Sequence, residues 1–448
     1  MSSGRLLPVA GGVLGAVLIG VAVVRAPSLY ALVIPALFSL GVLWAVVRWT
    51  ATGGPGDGAV AHWAYVSYAL HLVVSLLIGA SGLTVAFFGG DANTYHIYSV
   101  ALARHWAEGT AIPDLPAGKE GFFYALARVY EVVGPYRVGG LALCALCSAL
   151  LVPLVADTTR RLFGERSRLA VLPLVVLLPG FLIWTSQLLR EAPIIAALAL
   201  GANLAVRLSE QFAAGRLFML GLTVATLFTL RANIAYVFGA GLLVGLAMGG
   251  RHLIAGIATA AAMMGLVAAL VLGGGLGESG YQLSATADLK AVNTVRSNLA
   301  TTANSGIAKK ADVSSTAGSI AYLPLGLPQL FFGPFPWQIS NVRQGLGLLD
   351  ALTVWWLVPA FIRGLRRGCR EIGRRAALLI APAAFIALVL TLLIGNVGTL
   401  VRERIQVTIF FLPFIALGWN REETSGEGAE AKVRPKDSAD RRSPKLAL

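Results

Sequence analysis

Apolar runs of about 20 residues, the length a helix needs to cross a bilayer, recur along most of this chain. About twelve such runs can be placed. They lie near 6–24, 29–47, 63–87, 138–156, 169–188, 192–208, 217–231, 234–249, 253–273, 346–362, 377–395 and 405–419. The fold class that follows is all-α: a polytopic transmembrane helix bundle. Composition agrees. Of 448 residues, 56% are hydrophobic and 13% charged, against about 25% charged in soluble domains, and mean hydropathy is +0.74. A soluble enzyme, a disordered chain and a nucleic-acid-binding module are excluded. The shortest spans flank Arg231. The stretch 319–336 is apolar but carries Pro324, Pro328, Pro334 and Pro336. Proline removes a donor and breaks helices, so an interfacial or re-entrant segment is expected there.

Arginine sets the orientation. Arg160, Arg161, Arg166 and Arg168 lie in one loop, and Arg363, Arg366, Arg367, Arg370, Arg374 and Arg375 in another. An even number of spans separates them, so both fall on one side, which the positive-inside rule makes cytoplasmic. Both termini are then cytoplasmic. Residues 1–419 form the transmembrane domain, and the polar, mixed-charge segment 420–448 is expected to be a disordered tail. External segments run over 88–137 and 273–345. The first opens as an amphipathic helix on the membrane surface, its apolar residues being Ile97, Val100, Ala101 and Trp106. The second contains a Ser/Thr/Ala/Asn-rich stretch, 297–319, expected to be a long mobile loop. Most of the +14 net charge falls on the cytoplasmic side, so it is a topology signal and implies no nucleic acid.

The abundance of Ala, Gly, Val, Leu and Arg with little Lys suggests a high-GC bacterial genome. Three cysteines are too few for a disulfide framework. Cys144 and Cys147 read as small buried helix residues, and Cys369 lies in an arginine-rich loop. The first apolar run lacks a cleavage pattern and reads as a first transmembrane helix.

Few polar residues stand where chemistry needs them. Asp91 sits just past the third span. It is either a helix N-cap or a carboxylate fixed at the membrane–water boundary to take a proton. Tyr95 follows one helical turn later. Arg190 and Glu191 lie between two short-linked spans, either as a solvated turn or as a boundary ion pair of the kind that marks function. Arg231 interrupts two apolar runs with almost no loop, as a snorkelling side chain or as a phosphate ligand. Arg402 and Arg404 lie in the last outer turn. Four arginines outside, against the positive-inside trend, call for an anionic partner or for lipid head groups. Trp184 fits an interfacial belt. Trp337 belongs to an aromatic, proline-rich segment that suits either a re-entrant anchor or a groove for a lipid chain. No HExxH, Walker A or strand-linked GxGxxG pattern occurs, so an energy source would be a pre-activated lipid or an ion gradient.

These residues resemble the polytopic GT-C glycosyltransferases, which use polyprenyl-phosphate-linked sugars. The resemblance rests on Gly90-Asp91-Ala92-Asn93-Thr94-Tyr95 with Ala101 and Trp106, on Leu162-Phe163-Gly164, and on Pro179, Trp184-Thr185-Ser186 and Arg190-Glu191, over roughly residues 60–250. The C-terminal third, with Gly333-Pro334-Phe335-Pro336-Trp337 and Gly398 to Arg404, looks more like bacterial polysaccharide-assembly membrane proteins. The family's second acidic residue beside the first-loop Asp and its soluble C-terminal domain are not found here. The resemblance implies inverting transfer on the outer face of a bacterial plasma membrane, from a polyprenyl-phosphate sugar to a glycan or lipid acceptor. Asp91 would be the general base. Arg190, Arg231, Arg402 or Arg404 would steady the lipid phosphate, and Tyr95 would orient the acceptor. A divalent cation, magnesium or manganese, stays open as a helper. An O-antigen-type polymerase or ligase and a lipid-linked-oligosaccharide flippase are the alternatives.

Overall fold

The computed structural model describes residues 27–80, 90–116, 118–249, 288–302, 306–308, 311–339 and 342–420. The expected spans at 6–24 and 253–273 and the tail after residue 420 lie outside them. Among the described residues the fold is all-α, with a single isolated bridge between Gly306 and Asn396. In chain order the helices are α1 (Pro27–Thr50), α2 (Asp57–Ala80), α3 (Asp91–Glu108), α4 (Glu120–Val133), α5 (Arg137–Leu177), α6 (Pro179–Thr185), α7 (Glu191–Glu210), α8 (Ala214–Gly249), α9 (Leu289–Thr302), α10 (Thr316–Phe332), α11 (Val342–Ile372), α12 (Ala377–Leu393) and α13 (Val397–Trp419).

Six stretches among the described residues are long and apolar enough to cross a membrane: Tyr30–Thr50, Asp57–Gly79, Arg137–Leu177, Glu191–Glu210, Ala214–Gly249 and Gly347–Leu393. That is fewer than the expected twelve: two of the expected spans lie outside the described residues, and three of these stretches each cover two of the others. A straight helix of 41 residues would measure about 60 Å, twice the hydrocarbon core. Instead α5 turns at Gly164, whose φ of 81° lies in the left-handed region that glycine enters freely. Near its start, Arg137 bonds Asn93 of α3. Around the turn, Arg161 meets Glu210 at 2.5 Å and Arg168 meets Asp57 at 2.5 Å. Just past its end, the Gly180 amide bonds Asp350.

Helix α8 likewise breaks at Arg231, where φ is −165° and ψ is 91°. Its first turn is held by Arg216 to the Arg207 carbonyl. At its last residue, Gly249 abuts Arg374 and Arg375. Both ends therefore sit at the Arg161 end of the bundle. Helices α11 and α12, joined by a short 3-10 turn at Gly373–Ala376, make up the third long stretch. Helix α13 carries Arg402, Glu403 and Arg404 and does not qualify by composition.

The bundle thus has two polar ends. Helix α7 runs between them, from Glu191 to Glu210. Its 20 residues span about 30 Å, one hydrocarbon core. The buried core packs α5, α7, α8, α12 and α13 together. Helices α11 and α13 approach so closely that a Cβ on Gly364 would fall 1.7 Å from the Phe414 carbonyl, the small-residue contact that membrane helices favour.

Two sequence expectations are sharpened. Pro324 and Pro328 do not break the apolar stretch 319–336, because α10 continues through both and ends at Phe332, before Pro334 and Pro336. The stretch 297–319 is not a mobile loop where it is described. Residues 297–302 complete α9, residues 307, 308 and 311 are tied down by the buried Arg296, and the Val313 amide donates to Asn293 Oδ1 at 3.0 Å. The Arg296 guanidinium donates to the carbonyls of Ala311 (3.0 Å), Ile307 (3.3 Å) and Ala308 (3.1 Å) and lies 4.4 Å from the Tyr322 ring centroid. One buried cation satisfying three carbonyls replaces the regular backbone bonds this polar segment lacks.

Candidate functional site

The site lies at the end of the bundle opposite Arg161. Helix α3 supplies its accessible carboxylate. Gly90 is the N-cap and Asp91 the first helical residue, with no side-chain cap bond. The carboxylate is therefore free to turn outward from the helix. The helix buries Ala92, Tyr95, Ser99, Leu102 and Ala103, against Phe122 and Phe123 of α4. Tyr95 meets these rings edge-on at 4.9 Å and tilted at 5.3 Å. The helix itself was foreseen, but its buried face was not. Ile97 is exposed, because tertiary packing on α4 selects the Ala92/Tyr95/Ser99 stripe.

Arg402 of α13 organises the carboxylates. Its Nη1 donates to Asp91 Oδ2 at 2.8 Å, and its Nε lies 2.9 Å from Glu191 Oε1. The second contact is an ion pair without hydrogen-bond alignment. Glu191 is 1% exposed at its side chain and Asp91 40%. The solvated-turn account of Arg190-Glu191 is thereby overturned. The turn before them is buried too, with the Ser75 hydroxyl donating to the Ser186 carbonyl at 2.6 Å.

Arg190 reaches the other way. Its Nη1 donates to the carbonyls of Gly118 and Leu230, both at 3.0 Å. The Leu230 carbonyl is free because the helix breaks one residue later, and broken membrane helices commonly mark binding sites. Arg231 itself pairs with Glu403 at 2.6 Å. Lys119, in the loop before α4, places Nζ 5.6 Å from the Tyr95 ring centroid.

Four cations (Lys119, Arg190, Arg231, Arg402) thus face three carboxylates (Asp91, Glu191, Glu403), and a positive charge is left over. Neither Lys119 nor Arg190 is in an ion pair among the described residues. Also among them, both Glu191 oxygens, Glu403 Oε2, Arg190 Nε, Arg231 Nη1 and both polar atoms of the buried Gln406 side chain have no hydrogen-bond partner. Buried polar groups are otherwise almost always satisfied.

The electrostatics follow from this layout. Burial raises the Asp91 pKa, but the Arg402 charge and hydrogen bond outweigh it, helped by Lys119 and Arg190, and hold the carboxyl below its usual 3.8. Burial lowers Lys119, and the neighbouring Arg190 lowers it further. Burial raises the Tyr95 phenol, so it stays a neutral donor.

Of the other sequence candidates, Arg404 and Trp337 lie apart. Successive helix residues rotate by about 100°, so Arg404 points away from Arg402 while Gln406 returns to its face. Arg404 is buried, paired with Asp350 and donating to the carbonyls of Gly333 (2.6 Å) and Phe331 (3.2 Å). Asp350 also accepts from the Gly180 amide at 2.8 Å. Trp337 is 78% exposed and stacked on Phe335 at 4.8 Å. Sequence reasoning missed Lys119 and Glu403. Lys119 is the sole lysine of the segment 88–137, a signal that could have flagged it. Glu403 sat between two arginines that drew the attention.

Among the described residues no three His, Cys, Asp or Glu side chains gather, and the Arg402 guanidinium stands between Asp91 and Glu191. No protein-family model matches the chain, and no curated protein matches it.

Proposed function

We propose that this chain is a membrane glycosyltransferase. It moves a sugar from a polyprenyl-phosphate-linked donor to a cell-envelope glycan or lipid acceptor at the outer face of a bacterial plasma membrane. About twelve spans with both termini cytoplasmic complete this reading, placing the Arg161 end inside by the positive-inside rule. The observation that carries it is the convergence of an accessible carboxylate, Asp91, with two cations that have no carboxylate partner among the described residues, Lys119 and Arg190, at one end of the bundle.

In this mechanism Asp91 accepts the proton of the acceptor hydroxyl as its oxygen attacks the anomeric carbon. The bond from that carbon to the phosphate oxygen breaks, its electron pair leaving with the lipid phosphate. Inversion follows from the single displacement. Fixed cations stabilise charge as it develops, and Arg190 and Lys119 are the cations available. Arg402 keeps Asp91 ionised and aimed, and Glu191 keeps Arg402 in place. Tyr95 forms the wall beside Lys119. A cavity of about 290 Å³ between α6, α10, α11 and α13, lined by Phe331, Phe361 and Phe411 on the Arg404 face of α13, offers apolar room for a lipid chain across that helix from Arg402.

The polymerase or ligase reading has one observation in its favour. Arg402 already bonds Asp91 at 2.8 Å, so arginines could carry the reaction without a base. Transfer from a polyprenyl-phosphate sugar in proteoliposomes tests both. Asp91→Asn should lower transfer by about 10²–10⁴-fold. Full activity in that variant would promote the arginine-led polymerase. Movement of the donor between leaflets with no transfer by the unaltered protein would establish a flippase instead.

A further inference from the structure

A second feature lies at the opposite end of the bundle and takes no part in the proposed transfer. An apolar groove of about 890 Å³ opens between α1, α5, α7 and the first half of α8. That volume is near the top of the range for small-molecule sites, about 300–1,000 Å³. Its walls are alanine and leucine, among them Ala45, Leu150, Ala197 and Leu200. Along α8 it extends from Gly215 to Thr226, about 17 Å at helical rise, which is close to the depth of one leaflet.

The charged rim of the groove lies at its Arg161 end. Trp49 lies there, with the Arg207 guanidinium 4.0 Å from its ring centroid. Arg216 completes the rim. It donates to the carbonyls of Arg207 (3.2 Å) and Gln211 (2.9 Å), which closes the end of α7 without neutralising its own charge. Arg216 has no carboxylate partner among the described residues. The nearby carboxylates are already engaged. Asp157 holds Arg160, Arg161 and Arg207, and Glu210 holds Arg161 and Arg375. Two acids thus stand among five arginines when Arg216 is included. A belt tryptophan, an uncompensated cation and a one-leaflet apolar groove form the outline of a membrane lipid with an anionic head.

We infer that this groove binds one anionic glycerophospholipid of the Arg161-side leaflet. Its acyl chains fill the space between α1, α7 and α8, and its phosphate meets Arg216 beside Trp49. The site is separate from the outer cluster and stands whatever the reaction there.

Native mass spectrometry of the full chain, released from phosphatidylcholine nanodiscs containing a minor fraction of phosphatidylglycerol, tests this. The unaltered protein should retain one phosphatidylglycerol in preference to phosphatidylcholine. Arg216→Gln should reduce that preference about fivefold, the weight of one basic residue at a membrane surface. Ala197→Trp, which fills the groove, should lose the retained lipid of either kind. Leu222→Phe fills it more mildly, and should weaken retention if the larger change prevents folding. Equal retention of both lipids, an Arg216→Gln protein with undiminished preference, or a lipid-free dimer closed across Trp49 would each overturn the assignment.

Discussion

The two ends of the bundle carry similar numbers of charges and treat their carboxylates in opposite ways. At the Arg161 end, Asp157 is fully engaged. It accepts from Asn203 at 2.8 Å, from Arg161 at 2.8 Å and from Arg160 and Arg207 at 3.0 Å each. Two of those partners lie within four residues on the same helix. At the Asp91 end, Asp91 and Arg402 come from positions hundreds of residues apart, and neither oxygen of the buried Glu191 accepts a hydrogen bond among the described residues. Unpartnered cation atoms occur at both ends, with Arg160 Nε, Arg207 Nη2 and Arg375 Nε at the Arg161 end, so the contrast lies in the acids. A carboxylate with both oxygens engaged ties helices together. A buried carboxylate left without hydrogen bonds spends stability on a group held ready for something else, which is the usual signature of a site.

The sharpest way to break the comparison is to neutralise one acid at each end. Asp91→Asn should lower transfer by about 10²–10⁴-fold, the weight of general-base catalysis. It should barely move the melting temperature, because a half-exposed ion pair is worth at most about 1 kcal/mol. Steady-state transfer with a thermal melt checks both. Asp157→Ala should do the reverse. Removing one partner from a buried ionic network costs about 3–5 kcal/mol, so the melt should fall steeply while turnover per folded molecule holds. Loss of turnover in well-folded Asp157→Ala protein would end the division of labour.

A smaller effect separates Arg190 from Arg404. Arg190→Lys keeps a cation but cannot satisfy two carbonyls as a planar fork does. A drop of about tenfold in turnover, the order of one charged hydrogen bond, with little change in the melt is the expected result. Arg404→Lys should instead act on stability. Its target is the buried Asp350 pair and two carbonyls beside α10, away from the proposed chemistry. If Arg404→Lys lowers turnover at unchanged stability, the site extends across α13.

Much of this contrast was legible in the chain, and what escaped has a common cause. Hydropathy and charge are local, so the helices and the breaks at Gly164 and Arg231 could be placed from neighbouring residues. The juxtaposition of Asp91 with Arg402 could not, because nothing in either segment names the other. Arg404 was grouped with Arg402 by proximity in sequence, although two steps of an α-helix carry it to the far side. Arg296 was overlooked inside a polar stretch, where only tertiary structure shows three carbonyls around it. Prolines 324 and 328 were given more breaking power than they have in α10, since neighbouring membrane helices tolerate them.

The gentlest test uses pH, and its sign follows from the outer cluster. The Asp91 carboxyl is held below its ordinary 3.8. The stabilisation from its pairing with Arg402 is thus present above that value and is lost as pH falls through the lower, folded one. Transfer should therefore be flat on the acid side down to about pH 4. Lys119 is displaced downward from 10.5. Its charge, and any help it gives the departing phosphate, should fade on the alkaline side before an ordinary lysine would. Lys119→Arg, which cannot deprotonate in this range, should push that limb upward and leave the acid side untouched. Burial and the Arg137 charge hold His96 below the ordinary 6.5 of a histidine, so an acid limb above about pH 4 but below 6.5 would mean that the titrating base is a histidine rather than Asp91. His96, whose Nδ1 lies 3.0 Å from the Tyr130 hydroxyl on the neighbouring helix, would then be the first residue to replace.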